Sequence, residues 1–259
     1  MEEILQALPY FLLILVRISS FFIVAPLFSQ RGVPTQFKLG IAAFLSFLAL
    51  SALPIEETLA LDGYYIMIVI KEFGIGIALG FTAALVLYTV QIAGAFIDFQ
   101  MGFAMASVMD PQTGSQVPII GRFKYILALL FLLTVNGHHL MLDGVMQSLQ
   151  MIPVESLSFD IKFEDVAKFI SDLFVKMFMV ALQISLPIVG ALFLVDVALG
   201  ILAKTVPQLN IFAVGFPVKI LVGFVLLMFS MPFFFYLLQM LFGELVESMA
   251  ELTRLIGGA

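Results

Sequence analysis

The sequence predicts an all-α integral membrane protein built from long, kinked helices and helical hairpins. Of its 259 residues, 62% are hydrophobic and only 12% are charged, whereas soluble domains are about half apolar and about a quarter charged. The mean hydropathy is +1.15. Several apolar runs reach the roughly 20 residues that a helix needs to span a bilayer. We therefore expect a single membrane domain over residues 1–259.

Six apolar segments follow one another along the chain, at 10–28, 39–54, 64–97, 123–142, 173–203 and 211–242. As one helix, the run 64–97 would be about 50 Å long, against a hydrocarbon core of about 30 Å. Helices of this length must either tilt and bend or extend out of the bilayer within a protein assembly. Pro187 and Pro232 are the expected positions of kinks in the last two segments.

The distribution of charge predicts the orientation of the chain in the membrane. The connections 29–38, 98–124 and 204–219 contain half of the twelve cations, namely Arg31, Lys38, Arg122, Lys124, Lys204 and Lys219. The alternate connections and both termini are acidic. Because cytoplasmic connections are enriched in Lys and Arg, we expect both termini outside and the basic connections in the cytoplasm. The acidic start Met1–Glu3 is unlike a signal peptide, so the first apolar segment is expected to remain in the mature protein.

Composition and motifs argue against an enzyme or a nucleic-acid-binding protein. The chain has no cysteine and a net charge of −6, which disfavour thiol chemistry and nucleic-acid binding. The cluster closest to a metal or acid–base site is His138, His139 and Asp143, which follow Asn136. It lacks the HExxH spacing and a third strong ligand, so we favour a polar helix end over a metal or catalytic site. We expect no cofactor.

Arg17 lies in the middle of the first apolar segment. An arginine at this depth is costly and usually faces a cavity or a partner. An ion pair with Glu72 or with Asp196 is an equally good interpretation, and the sequence leaves the choice open. In the third segment, the small residues Gly74, Gly76, Gly80 and Ala84 favour close approach of another helix, in this chain or in another subunit.

Two basic connections have the same local pattern. Gly32, Pro34 and Lys38 in the first resemble Gly215, Pro217 and Lys219 in the last. We expect glycine to form the turn, proline to take the first helical position and lysine to follow one turn later. Convergent hairpin chemistry explains this likeness better than an internal repeat.

The segment 204–212 interrupts the late apolar region with the uncharged polar residues Gln208 and Asn210 beside Pro207. Their amide groups need hydrogen-bond partners if they are buried. A defined turn packed on a neighbour is favoured over a solvated loop.

The segment 91–124 is an unusually apolar interruption of the helices. It contains turn chemistry at Asp110-Pro111 and Gly114 but few charges. Non-helical backbone at membrane depth occurs only where it is buried in protein or lines a watery cavity. We therefore expect this segment to lie inside a pore or an assembly.

Several motifs together resemble those of the FliR family of flagellar export-gate membrane proteins, which has counterparts in virulence injectisomes. They are R-x-S-x-F-x-x-A-P-L-F-S from Arg17 through Pro26 to Ser29, Val33-Pro34, A-G-x-x-I-D-F-Q-M-G-F from Ala93 through Asp98 and Gly102 to Phe103, Asp110-Pro111, N-G-H-H from Asn136 to His139, and K-T-V-P-Q-L-N-I-F-A-V-G-F-P-V-K from Lys204 to Lys219. The resemblance covers nearly the whole chain, and the last motif is the most specific.

The resemblance implies a subunit of a helical export-gate assembly in the bacterial plasma (inner) membrane, at the flagellar basal body. FliP-like and FliQ-like subunits would complete a channel for unfolded flagellar substrates, with FlhB- and FlhA-like export proteins and membrane lipid as further partners. Residues 1–170 would correspond to a FliP subunit and 171–259 to a FliQ subunit.

The resemblance also implies a plug loop near 105–118, with gate residues Met105, Met109, Asp110, Pro111, Gly114, Ser115 and Pro118. Flexible methionine side chains suit an adaptable seal. Residues expected to serve structure or assembly are Arg17, Pro26, Pro34, Lys38, Gly76, Gly80, Asp98, Gly102, Asn136, His138, Asp196, Pro207, Gln208, Asn210, Gly215 and Pro217.

Three alternatives remain open at this point. The first is a secondary transporter with a broken-helix substrate site between Asp98 and Asp110. The second is an intramembrane enzyme that uses His138, His139 and Asp143. The third is a gate subunit of an injectisome rather than of a flagellum.

Overall fold

Helices account for nearly all of the chain that can be described. The computed structural model describes residues 2–30, 32–52, 59, 62–103, 118–155, 157, 163–208 and 210–258. Within these ranges no strand occurs, and the helices are α1 (Glu2–Val24), α2 (Thr35–Ala52), α3 (Gly63–Met101), α4 (Ile119–Thr134), α5 (Gly137–Met151), α6 (Phe163–Thr205) and α7 (Ile211–Gly257). The prediction of an all-α membrane protein is confirmed.

Five of these helices are long and apolar enough to cross a membrane: α1, α2, α3, α6 and α7. The pair α4 and α5 is bent by 74° at its junction and forms a sixth candidate span. At about 1.5 Å per residue, the 43 residues of α6 and the 47 of α7 correspond to lengths of about 65 and 70 Å. Both helices are therefore far longer than the hydrocarbon core.

Prolines lie inside the long helices rather than at their ends. Helix α6 continues through Pro187, and α7 continues through Pro217 and Pro232. The prediction that Pro217 takes the first helical position is wrong. Helix α7 begins six residues earlier, where the side-chain Oδ1 of Asn210 accepts a hydrogen bond from the N–H of Ala213 at 3.3 Å.

One compact unit comprises Met1–Val86, Leu133–Leu173 and Phe242–Ala259. Within it, α1 packs along α2 and contacts α5. Gly76 and Gly80 bring α3 against α1, because a Cβ on Gly76 would lie 2.3 Å from the carbonyl oxygen of Arg17. The close approach predicted from the small residues is thus made within this chain, and Gly74 has nothing within 4 Å of its would-be Cβ.

A second compact unit comprises Leu87–Leu132 and Phe174–Leu241. One cluster of its core consists of Ile97, Met101, Ile120, Ile188, Leu192 and Leu227. Gly94 and Gly121 allow α3 and α4 to touch, since a Cβ on Gly94 would lie 2.1 Å from the Cα of Gly121. This contact places the start of α4 beside the last turns of α3.

Much of the apolar surface of α6 and α7 is not covered by the part of the chain that the structure describes. The side chains of Phe229, Met228 and Phe212 are 82%, 76% and 70% exposed. Only 11% of the most apolar window of α6 and 17% of that of α7 are buried. Apolar surface of this extent is typical of lipid-facing or subunit-facing helices.

Candidate functional site

Arg17 is fully buried in the first unit and forms a two-pronged ion pair with Glu72. Its Nε and Nη2 donate to the two carboxylate oxygens, and the Nη2–Oε1 distance is 2.9 Å. Nη1 donates to the carbonyl oxygen of Ser148 at 2.7 Å, and Nη2 also donates to that of Ile152 at 3.1 Å. Of the interpretations considered for Arg17, the ion pair with Glu72 is the one that the structure contains.

Lys71 extends this network. Its Nζ lies 2.9 Å from Glu72 Oε1 and donates to the carbonyl oxygen of Pro153 at 2.6 Å. Two cations from α1 and α3 thus bind the carbonyl-rich end of α5, where the helix dipole is negative. The network joins α1, α3 and the C-terminal end of α5 through buried polar contacts.

Asp98 in the second unit is a cap for α4 supplied by α3. Its carboxylate accepts hydrogen bonds from the backbone N–H of Ile120 at 3.0 Å and of Gly121 at 3.1 Å. The side chain is almost completely buried. Because the first N–H groups of a helix have no partner within it, a carboxylate there satisfies donors and favourably meets the helix dipole.

Asp196 joins three helices in the second unit. Lys219 Nζ on α7 lies 2.9 Å from Asp196 Oδ1, and Gln100 Nε2 on α3 donates to Oδ2 at 2.8 Å. The Asp196 side chain is 40% exposed and that of Lys219 is 16% exposed. Asp196 therefore pairs with Lys219 and not with Arg17.

The last turn of α3 also makes close apolar contacts with α7. A Cβ on Gly223 would lie 2.6 Å from Met101 Cε, and one on Gly102 would lie 2.6 Å from the ring of Phe216. Gly102 has φ +89, a conformation that glycine adopts readily and that ends a helix. The rings of Phe103 and Phe224 meet edge to face with centroids 6.4 Å apart.

The histidine pair lies at the bend between α4 and α5. Asn136 adopts a left-handed conformation there with φ 56. The rings of His138 and His139 are 4.1 Å apart, and the Nδ1 of His138 is buried without a hydrogen-bond partner. No group of three potential metal ligands occurs in the part of the chain that the structure describes. The two histidines thus lie in the first turn of α5.

Most of the remaining candidate residues lie at helix ends or outside the described ranges, but Gly215 and Pro217 lie inside α7, so the expected turn at Gly215 is wrong. Pro26 is buried, and its carbonyl accepts from Gln30 Nε2 at 2.7 Å. Pro34 precedes α2, and its carbonyl accepts from the N–H of Lys38 at 3.2 Å. In the isolated chain Pro207, Gln208, Asn210 and Pro217 are exposed, whereas Gly215 is buried.

Of the expected gate residues, the structure describes only Pro118. Met105, Met109, Asp110, Pro111, Gly114 and Ser115 lie outside the described residues. Pro118 is half-buried before α4, and its carbonyl accepts from the N–H of Arg122 at 2.8 Å.

Sequence reasoning missed several residues of these clusters, among them Lys71, Ser148 and Gln100. Lys71 and Ser148 were not singled out, although Lys71-Glu72 is a charged pair within an apolar run and could have signalled a buried network. Lys124 was counted among the cations of a basic connection. It is instead only 1% exposed, and its Nζ lies 4.7 Å from the centre of the Phe234 ring, a cation–π contact.

Comparison with known proteins identifies similar chains over nearly the full length. Residues 8–245 match the model of the bacterial export proteins, family 1. The chain is 46% identical to the flagellar biosynthetic protein FliR of Bacillus subtilis (strain 168), with 99% of each chain covered. It is 32% identical to that of Escherichia coli (strain K12), covering 92% of this chain and 90% of the relative. Yop proteins translocation protein T of Yersinia pestis is 26% identical over 83% of each chain.

Proposed function

Since the chain belongs to the FliR family of bacterial export proteins, we propose that it is a subunit of the flagellar type III protein export gate. In this proposal FliP-like and FliQ-like subunits join it in a plasma-membrane channel that passes unfolded flagellar proteins. FlhA- and FlhB-like proteins are proposed as further partners. The observation that carries the proposal is the 46% identity to a flagellar biosynthetic protein over 99% of both chains.

The surface of the second unit supports an assembled state. Helices α6 and α7 are longer than a bilayer core, and their most exposed side chains include Phe229 and Met228. Lipid alone does not cover a helix beyond the thickness of the bilayer. Neighbouring membrane subunits would cover the remainder.

A plug formed by residues 105–118 is part of the proposal. Its support is the apolar, turn-rich composition of this segment and the way in which the structure holds both of its ends. Before the segment, the last turn of α3 contacts Asp196, Phe216 and Gly223. After it, the first N–H groups of α4 donate to Asp98.

The second candidate is a gate subunit of an injectisome. The similarity to Yop proteins translocation protein T favours it, but at 26% identity this similarity is weaker than that to the flagellar protein of Bacillus subtilis at 46%. We therefore favour flagellar export.

The test is a strain in which this chain carries an affinity tag and the untagged gene is deleted. We expect FliP-like and FliQ-like chains to co-purify with the tagged chain in fixed proportions. A second strain that lacks the chain should lose flagellin secretion and motility. Flagellin secretion at the normal level without this chain would contradict the proposal. Secretion of virulence proteins alone would favour the injectisome.

The plug has its own test. In an assembled gate, deletion of residues 105–115 should raise ion conductance across the membrane, because the segment proposed to fill the channel is gone. Assembly is checked by co-purification of the partner subunits. Unchanged conductance in a fully assembled gate would overturn the plug while leaving the export role intact.

A further inference from the structure

The end of α3 is held by one polar group and three apolar contacts. The polar contact is the hydrogen bond from Gln100 to Asp196. The apolar contacts are those of Met101 with Gly223, of Gly102 with Phe216 and of Phe103 with Phe224. All of these residues lie in the second unit. Helix α3 ends at Met101, so these contacts lie at the point where the chain leaves α3.

The apolar contacts alone do not define how this turn is oriented. Hydrophobic contact is non-directional, and a turn held only by Met101 and Phe103 can rotate or slide at little cost. A hydrogen bond has a preferred distance and angle. The bond from Gln100 Nε2 to Asp196 Oδ2 at 2.8 Å therefore sets the rotation of the last turn of α3.

Asp196 is itself held in place. Lys219 Nζ lies 2.9 Å from its Oδ1 and 3.0 Å from its Oδ2. Since Lys219 belongs to α7, this helix orients the carboxylate that accepts the hydrogen bond from Gln100. The Asp196 side chain is 40% exposed and that of Lys219 is 16% exposed, so solvent partly screens their attraction. The anchor therefore depends on geometry, because one carboxylate accepts hydrogen bonds from both Lys219 and Gln100.

We propose that Asp196 is a positioning residue of the export gate: through Gln100 and Lys219 it holds the end of α3 against α6 and α7. Its consequence for export depends on the proposed function, whereas the anchoring itself does not.

The test measures anchoring directly, in the full chain assembled with its partner subunits. Because the chain has no cysteine, the pair Met101→Cys and Gly223→Cys reports only on this contact. We expect oxidation to cross-link the pair rapidly in the otherwise unaltered protein. Asp196→Leu should slow cross-linking about tenfold, in line with the loss of a hydrogen bond to a charged group.

Matched controls separate anchoring from general damage. The pair Gly144→Cys and Met249→Cys lies in the first unit, where a Cβ on Gly144 would approach Met249 Cε to 2.8 Å. Its cross-linking should not change with Asp196→Leu. Asp172→Leu removes an exposed carboxylate from the same helix and should leave both pairs at their usual rates.

Gln100→Leu is the second variant. It removes only the hydrogen bond to Asp196 and leaves the Asp196–Lys219 pair intact. It therefore tests the anchor even if the Asp196→Leu protein does not accumulate in the membrane. It should slow cross-linking of the 101–223 pair by a similar factor. Unchanged cross-linking in Gln100→Leu, or in an assembled Asp196→Leu, overturns the anchor.

Export and conductance distinguish this inference from the proposed function. Slower cross-linking together with ion leakage or reduced flagellin secretion supports both. Slower cross-linking with a normal seal and normal secretion supports the anchor and shows that export does not depend on it.

Discussion

Arg17 and Glu72 form a fully buried ion pair between α1 and α3, 55 residues apart in the chain. The guanidinium also donates to the carbonyl oxygens of Ser148 and Ile152 at the end of α5. An arginine buried in an apolar segment is tolerated only when its donors are used. Here Nε, Nη1 and Nη2 all donate, which makes Arg17 the junction of three helices.

The first prediction concerns this junction. Arg17→Met should lower the free energy of unfolding by about 3–5 kcal/mol, because it leaves a buried carboxylate with only part of its partners. Unfolding of the purified protein in mixed detergent micelles measures the change. Arg17→Lys should also be destabilising, since one ammonium group cannot reproduce the fork that meets Glu72 and two carbonyls.

A double substitution checks the cause of that loss. If the cost comes from leaving Glu72 unpaired, Arg17→Met combined with Glu72→Met should cost less than the sum of the two single substitutions. Costs that add fully would contradict a direct interaction between the two side chains.

The second prediction concerns the cap of α4. Asp98→Leu should destabilise the protein by about 1–3 kcal/mol, because the buried N–H groups of Ile120 and Gly121 lose their acceptor. Asp98→Asn keeps one oxygen acceptor and should cost less. The exposed Asp172→Asn is the control and should be near neutral in the same unfolding measurement. Equal stability of Asp98→Leu and the unaltered protein would rule out a role as a cap.

The helices were more predictable than the polar clusters, for a physical reason. Continuous apolar runs predict helices that are long enough to cross a membrane, and these runs match α1, α2, α3, α6 and α7. The apolar runs 173–203 and 211–242 are shorter than the helices, since α6 begins at Phe163 and α7 ends at Gly257. The polar ends of both helices remain helical beyond the apolar run. Loss of hydropathy does not by itself end a helix.

The choice of partner for Arg17 required the tertiary structure. Glu72 and Asp196 are both carboxylates in apolar segments, so composition could not separate them. Two further partners are carbonyl oxygens of Ser148 and Ile152, which every residue possesses and no sequence pattern marks. The interaction of Asp98 with Ile120 spans 22 residues and likewise depended on how α3 and α4 pack.

The third prediction concerns orientation, which we infer from charge alone. Single cysteines can replace Glu57 in an acidic connection and Gln208 in a basic one. A thiol reagent that reaches the outer face of the plasma membrane but cannot cross it is added to intact cells. It should label the cysteine at 57 and not the one at 208, because basic connections remain in the cytoplasm. Labelling in the opposite pattern would reverse the proposed sidedness.

The last prediction compares two glycines of one helix. A Cβ on Gly76 would lie 2.0 Å from Ser20 Oγ and 2.3 Å from the carbonyl oxygen of Arg17, whereas nothing lies within 4 Å of that position on Gly74. Gly76→Ala must push α1 away from α3, since the backbone carbonyl cannot rotate aside like a side chain. We expect a loss of about 1–3 kcal/mol of unfolding free energy, typical of overpacking. Gly74→Ala should be neutral or gain up to about 1 kcal/mol, because alanine stabilises a helix more than glycine does.

Because the Arg17 carbonyl would shift with α1, the same displacement should weaken the ion pair with Glu72. Gly76→Ala should therefore cost less in an Arg17→Met background. Equal stability of the two alanine variants would mean that α1 and α3 do not pack this closely in the membrane.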